Sequence, residues 1–406
     1  MTAAQVSRRI AGLMSSSASL FAFFEDSAWA RRRDEPGIVD FAIGNPHEEP
    51  LPAFVEALQR WSVPRTKDWF AYKVSEPAAR EAAAAGLRER RGEPFAAEDI
   101  CLTNGAFAAL TVAVTAVADP GDEVIFLSPP WFFYEAILLA TGATPIRVKV
   151  QPDDFDLDVE AIAAAITPRT RVVIVNSPNN PTGKIYPPAT LQRLADALTE
   201  ASARHGRLIY LLSDEAYSRI VFDGQAFPSP ASFYPHTLVL YTYGKTLLTP
   251  GQRLGYVALP PLMPPADREL LRQAIFMAQF FAVGFAFPNA LLQHALPDLE
   301  RVSIDVAHVQ RKRDRLVGAL RDIGYAVHPP EGTFYLVPRS PLADDLAFVD
   351  LLAARDVFVL PGSLIELPGY FRVSLTANDA MIERSLPAFA AAWAEASGGG
   401  VVAAAG

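Results

Sequence analysis

Short runs of continuous apolar residues alternate along the chain with longer alanine-rich stretches of helical period. The runs at 123–128, 144–150, 171–176, 207–213, 237–242 and 255–259 are rich in valine, isoleucine and leucine. They do not alternate polar with apolar positions, so they predict strands buried on both faces. Between them, 106–118, 159–166 and 190–204 carry the period of helices. Strand, helix and strand at this spacing predict an α/β domain with a mostly parallel sheet covered by helices.

The flanks differ. Residues 1–45 predict an N-terminal helix and an extended arm that belongs to a smaller domain. The large domain is expected over 46–290 and the rest of the small α+β domain over 291–396. The latter begins with a long charged helix at 298–320, followed by strands at 325–328, 333–337, 357–360 and 371–375. The tail, 397–406, is low in complexity and expected to be disordered. No internal repeat is visible.

Composition narrows the function classes. The chain has 406 residues, half of them apolar, and a net charge of -9. Its basic run, Arg31 to Arg33, is short and reads as a solvated helix face, so no nucleic-acid partner is expected. No uninterrupted apolar stretch reaches the roughly 18 residues of a membrane span. The apolar part of the N-terminus is followed at once by Glu25 and Asp26, which disfavours a signal peptide. A single cysteine, Cys101, excludes an intrachain disulfide framework, and a reducing, cytoplasmic location is the natural reading.

Lysine is scarce. Only Lys67, Lys73, Lys149, Lys184, Lys245 and Lys312 occur among the 36 basic residues. Lys245 follows the run 237–242 and precedes a loop with a proline and a glycine. The carboxyl end of a parallel strand faces the crevice where α/β folds bind ligands. A lysine partly withdrawn from water there, near other cations, can give up its proton and form a Schiff base. Asp214 closes the preceding strand in the run SDEAY and faces the same crevice. A buried carboxylate there suits a protonated pyridine nitrogen, and it equally suits a helix N-cap. Tyr217 is three residues further on. The segment 103–106 opens a helix with small residues, which lets backbone N–H groups approach a phosphate, and Arg253 can add a bidentate cation. No Walker or Rossmann glycine pattern occurs. The rigid turn after 171–176 presents Asn180, and Trp131 follows Ser128-Pro129-Pro130 at another strand end, as core or as a stacking surface.

The runs NNPTG, SDEAY and GKTLLTPGQRLGY, in that order, resemble the class I/II aminotransferases, fold-type I pyridoxal-phosphate enzymes with a seven-stranded sheet. The likeness runs from FAIGNP near residue 41 to YFRVSLT near 376. It implies pyridoxal 5'-phosphate as cofactor, Lys245 as its Schiff-base lysine and Asp214 as partner of the ring nitrogen. It further implies that Asn180 and Tyr217 bond the ring's phenolic oxygen and that Trp131 stacks on the ring. The backbone of Ala106 and Phe107, the Thr242 hydroxyl and Arg253 would hold the phosphate. Arg372, which the run FRVSL alone places on a strand surface, would grip the substrate's α-carboxylate, with Gly44 at the pocket floor. Tyr72 would reach the phosphate of a neighbouring subunit, so a homodimer with shared sites is implied. One position departs from the family pattern: Gly244 stands where a serine usually precedes the lysine.

The function expected is amino transfer between an α-amino acid and a 2-oxo acid. The same fold and cofactor also serve lyases, decarboxylases and cyclases acting on amino acids, which is the alternative reading. Side-chain selectivity is expected to depend on 14–24 and on 276–288, the latter reading as an apolar pocket or as dimer packing.

Overall fold

A computed structural model describes residues 6–398. The expected disordered tail thus falls largely outside the described residues. At the N-terminus the one expected helix is three, Arg8–Ser16, Ala18–Asp26 and Ala28–Arg32. Ser7 and Ser27 cap the first and third by accepting from Ile10 N and Ala30 N, and such caps start new helices rather than prolong one. A short strand, Val39–Asp40 (β1), ends this arm.

Seven strands then build the central sheet: Ile100–Thr103 (β2), Glu123–Ser128 (β3), Thr144–Lys149 (β4), Thr170–Asn176 (β5), Tyr210–Asp214 (β6), Thr237–Thr242 (β7) and Gly255–Ala258 (β8). Their spatial order is β2-β8-β7-β6-β5-β3-β4, and every pairing is parallel except those of β8. Strands β3, β6, β7 and β8 are buried along their whole length, which is why their sequences carry no alternation. Strand β4 is the exception. It lies at the edge with exposed Thr144, Arg147 and Lys149, and it admits Pro145, as an edge strand can.

Helices cover both faces. Val124, Phe126, Ile174, Leu212 and Leu240 face the helices Gly105–Val117 and Pro265–Met277. The alternate positions Ile125, Leu127, Val173 and Leu211 face Val159–Ala165 and Pro188–His205. Beyond them, Leu102, Val239 and Tyr256 pack on Pro77–Arg91 and Ala290–Leu299. A division of the chain near 290 would place this last helix in the small domain, whereas its buried face joins the apolar layer of the large sheet.

The expected helix over 298–320 is broken. One helix ends at Leu299, and the next, Val306–Ile323, starts where Asp305 accepts from His308 N at 3.1 Å. Between them Ile304 donates its N–H to Thr246 O at 2.9 Å, tying the crossing segment to the loop after β7. The C-terminal strands are very short: Tyr335–Leu336 (β9), Val357–Phe358 (β10), Leu360–Pro361 (β11) and Phe371–Ser374 (β12). Strands β11, β12 and β9 form one antiparallel sheet, and β10 pairs in parallel with β1 of the arm. The strand expected at 325–328 does not form. Pro329 and Pro330 follow it without N–H donors for a ladder, and Tyr325 instead buries its ring and donates its hydroxyl to Phe389 O at 2.9 Å.

Candidate active site

The carboxyl ends of the parallel strands open into one cavity of about 260 Å³. It is lined by Gly44, Ala106, Phe107, Trp131, Asn180, Asp214, Tyr217, Thr242, Lys245, Arg253 and Arg372, every residue expected at the site except Tyr72. Tyr72 lies elsewhere on the surface, 93% exposed, with its ring edge-on to Phe285 at 5.6 Å.

Lys245 stands in the one-turn helix Tyr243–Thr246, directly after β7. Its amine lies 5.5 Å from the Tyr217 ring and 5.6 Å from the Phe334 ring. Asp214, at the end of β6, is buried and accepts from the Tyr134 hydroxyl at 2.5 Å and from Ala216 N at 3.2 Å. Burial raises its carboxyl above the ordinary value, and the two donors with the nearby Lys245 charge oppose that rise. Asn176 locks the turn after β5: its amide donates to Asp214 O at 2.9 Å, and its carbonyl accepts from Asn180 N at 2.7 Å.

Asn180 in turn joins two sheets, because its Oδ1 accepts from Arg372 Nη1 of β12 at 3.0 Å. Arg372 Nη2 donates to Ala42 O at 3.1 Å, and its guanidinium lies 4.1 Å from the Tyr335 ring centre. The surface position expected from its strand pattern is not what forms, since Arg372 is 2% exposed. Its Nε is buried with no partner. Burial would raise the Tyr335 phenol, but the Lys245 and Arg372 cations outweigh it and bring it below the usual value.

On the far side, the helix Gly105–Val117 points its start into the cavity, and no side chain caps it. Its first N–H groups are therefore free for an anion. Gly105 has φ +74°, and a Cβ there would come within 2.6 Å of Arg253 Nη2. Glycine is thus required both for backbone conformation and for the close approach of that guanidinium. Thr242 Oγ1 lies 3.4 Å from the same Cβ position. Gly244 is closely approached as well: a Cβ at 244 would stand 3.2 Å from Pro250 Cα and 3.4 Å from Thr249 O, so a serine there asks the loop after the lysine to give by a few tenths of an ångström.

The family model for aminotransferase class I and II matches residues 36–389. The chain belongs to that family. As a member it is a pyridoxal-phosphate-dependent transferase that moves amino groups. The aspartate/prephenate aminotransferase of Thermus thermophilus is 31% identical over 371 residues, 88% of this chain and 92% of its own length. A solved aminotransferase of Eubacterium rectale superposes with a TM-score of 0.87 at 29% identity, covering 97% of this chain and 99% of its own. The aspartate aminotransferase of Thermus thermophilus solved with maleate gives 0.79 at 28%, covering 96% and 100%. The lyase, decarboxylase or cyclase alternative gains no support from these relatives.

The residues present fit the cofactor. A buried carboxylate without a cation partner, an unpaired lysine, an uncapped helix start beneath an arginine and an orphaned guanidinium nitrogen are complementary to a pyridinium, an aldehyde, a phosphate and a carboxylate. Among the described residues none of the four charged groups lining the cavity enters a salt bridge, whereas Glu215, next to Asp214, is paired with Arg91.

Among the groups at the site that sequence reasoning misses, Tyr134 and Tyr335 carry the most chemistry. Tyr134 sits in the aromatic run 131–134, which reads as core, and only the fold brings it under Asp214. Tyr335 lies in the strand expected at 333–337, where its sequence carries no chemical signal. The segment 276–288 contributes nothing to the cavity lining, so its reading as substrate pocket is not met within this chain. No helix among the described residues is long and apolar enough to cross a membrane.

Proposed function

We propose that this aminotransferase anchors its cofactor through Lys245 and moves an amino group between an α-amino acid and a 2-oxo acid with the residues of the strand-end cavity. The observation that carries the assignment is the convergence of Lys245, Asp214, Arg253 and Arg372, from three strand ends and a second sheet, on one cavity without internal ion pairs. Bound pyridoxal phosphate supplies an aldehyde that takes up the amino group and a protonated ring that accepts the electrons released at the substrate's Cα. Asp214 holds the ring nitrogen protonated, and Tyr134 orients Asp214. Asn180 and Tyr217 bond the phenolic oxygen, and Trp131 stacks on the ring. The N–H groups of Ala106 and Phe107, with Thr242 and Arg253, hold the phosphate. Arg372 takes the α-carboxylate of the incoming amino acid on its free Nε edge, above Gly44. That would fix Cα beside Lys245, whose amine would take up and return the Cα proton.

In this reading the chain from 46 through the helix Ala290–Leu299 is the cofactor-binding domain, and 1–45 with the C-terminal region forms the smaller one. We further infer a homodimer with shared sites in the cytoplasm. The dimer reading rests on exposed apolar residues at Tyr72 and beyond it, Phe70 at 56% exposure beside it and Phe281 at 72% linked to it through Phe280 and Phe285, and the compartment on the single cysteine. The relatives named for aspartate supply a first donor to try.

The test is spectroscopic. An amino acid should bleach the visible absorbance of the holoenzyme and a 2-oxo acid should restore it. Lys245→Ala should lose that absorbance and about 10⁴-fold or more in turnover. An unaltered spectrum in the variant would remove Lys245 from its role. Mixing Lys245→Ala with Tyr72→Ala subunits should regain activity that neither has alone; failure to do so refutes sharing of sites.

A further inference from the structure

Lys245 rides on a helix of one turn, Tyr243–Thr246, and a single turn has no cooperativity of its own to hold it in place. Its position depends on what its side chains bond. The turn has two faces. Thr242, Gly244 and Lys245 line the cavity, whereas Tyr243 packs on the opposite side, in the apolar layer against the helices Pro77–Arg91 and Ala290–Leu299.

That layer holds a polar network made within the one chain. The Tyr243 hydroxyl donates to Glu300 Oε2, and burial raises its phenol well above the ordinary value, so it stays a donor. Glu300 Oε1 accepts from Arg90 Nη1 at 2.5 Å. Arg219, two residues after Tyr217, places Nη1 4.0 Å from the same oxygen and donates from Nη2 to Val302 O at 3.2 Å. A Cβ at Gly86 would collide with this carboxylate, so the helix Pro77–Arg91 gives up a side chain to admit it. At the far end of the turn the Thr246 and Tyr241 hydroxyls bond at 2.6 Å. Well-packed apolar residues often serve stability as well as a buried ion pair does, so packing alone does not call for a carboxylate here. A bonded polar network instead fixes one arrangement.

We propose that Glu300 is a positioning residue for Lys245: through the Tyr243 hydroxyl it fixes, from behind the cavity, the turn that aims the Lys245 amine at the substrate's Cα. This rests on the assignment of Cα proton transfer to Lys245. A displacement of the amine by about 1 Å is enough to slow such a step up to about 100-fold.

Glu300→Gln strips Arg90 of its counter-charge and can unfold the chain. Tyr243→Phe keeps the ring, removes only the tether, and carries the test. Half-reactions of the holoenzyme with aspartate, glutamate and phenylalanine, each with hydrogen or deuterium on Cα, should slow about tenfold per cofactor-loaded molecule in this variant. The isotope effect should rise, because proton transfer is the step that is slowed, while cofactor affinity is retained. Tyr325→Phe removes an equally buried hydroxyl away from the cavity, and should lower the denaturant midpoint without moving rate or isotope effect. Unchanged rates and isotope effects in Tyr243→Phe, or an equal slowing in Tyr325→Phe, overturn the proposal. A holoenzyme that reacts with none of the three amino acids, or a Lys245→Ala protein that retains turnover, refutes the amino-transfer roles given above and the proposal with them.

Discussion

Asp214 and Glu215 are consecutive acids at the end of the same strand, both buried, and the fold treats them in opposite ways. Glu215 lies in a closed network: it pairs with Arg91, and its Oε1 accepts from the Ser213 hydroxyl at 2.9 Å and from the Ser229 hydroxyl at 2.5 Å. Asp214 receives only neutral donors, Tyr134 and Ala216 N, and opens on the cavity. The same contrast holds elsewhere. Arg268 pairs with Asp99 at 2.6 Å and Arg90 with Glu300 at 2.5 Å, whereas the more deeply buried Arg372 has no carboxylate partner at all. Desolvating a charge is costly, so a fold that leaves one unpaired keeps it for something that binds. For these groups, pairing with an opposite charge goes with a structural place, and its absence goes with an opening on the cavity.

The sharpest way to break that contrast is to neutralise each acid in turn. Asp214→Asn should lower turnover about 10³-fold, the scale of losing a pre-organised electrostatic group, while the apoprotein keeps its fold. Its stability should even improve with pH relative to the unsubstituted chain. Burial holds the Asp214 carboxyl above 3.8, so the native state binds a proton more readily than the unfolded chain. The stability this group contributes is present below that ordinary value and is lost as pH rises through the raised one. Denaturant midpoints of the two apoproteins should therefore diverge from acid towards neutral pH; parallel curves would mean that Asp214 does not titrate as its surroundings require. Glu215→Gln should do the reverse. It leaves Arg91 without its counter-charge and should cost about 3 kcal/mol of stability, with turnover per folded molecule little changed. If Glu215→Gln instead abolished chemistry at unaltered stability, the distinction between the two acids would fail.

A smaller effect isolates the hydroxyl beneath Asp214. Tyr134→Phe removes one donor without opening a cavity, at a cost of about 1 kcal/mol. Because that donor favours the ionised carboxylate, its loss should push the Asp214 carboxyl further up and shift the acid limb of the kcat profile to higher pH. An effect on stability alone, with the profile unmoved, would reduce Tyr134 to packing.

How far all this is legible before folding depends on sequence distance. The strand ends carrying Asp214, Asn180 and Lys245 announce themselves, because a strand buried on both faces must be apolar throughout and its polar successor then stands out. Their shared crevice follows from parallel topology. The C-terminal strands have two to four residues each, too short for any period, and their register with the arm is set by partners some 320 positions away, as in Val39 with Val357. By its own run Arg372 therefore reads as a surface residue, and its contact with Asn180 spans 192 positions. Tyr134 was hidden for another reason: in the aromatic stretch Trp131 to Tyr134 a hydroxyl that serves a carboxylate looks the same as one that fills a core.

Gly244 tests the contrast at its mildest, since it bears on the cavity through backbone and not through charge. At this departure from the family's usual serine, the Pro250 Cα and Thr249 carbonyl of the loop that follows close over the position. Gly244→Ser must displace those backbone atoms by a few tenths of an ångström, which should cost about 1 kcal/mol. The helix start under Arg253 is untouched and the Thr242 hydroxyl meets the new Cβ only at ordinary contact distance, 3.6 Å, so cofactor affinity should change by no more than about threefold. Measured together, a lowered denaturant midpoint with retained cofactor binding would assign the glycine to the fit of the loop. A clear gain in affinity would show instead that the phosphate site of this chain lacks a donor that serine restores.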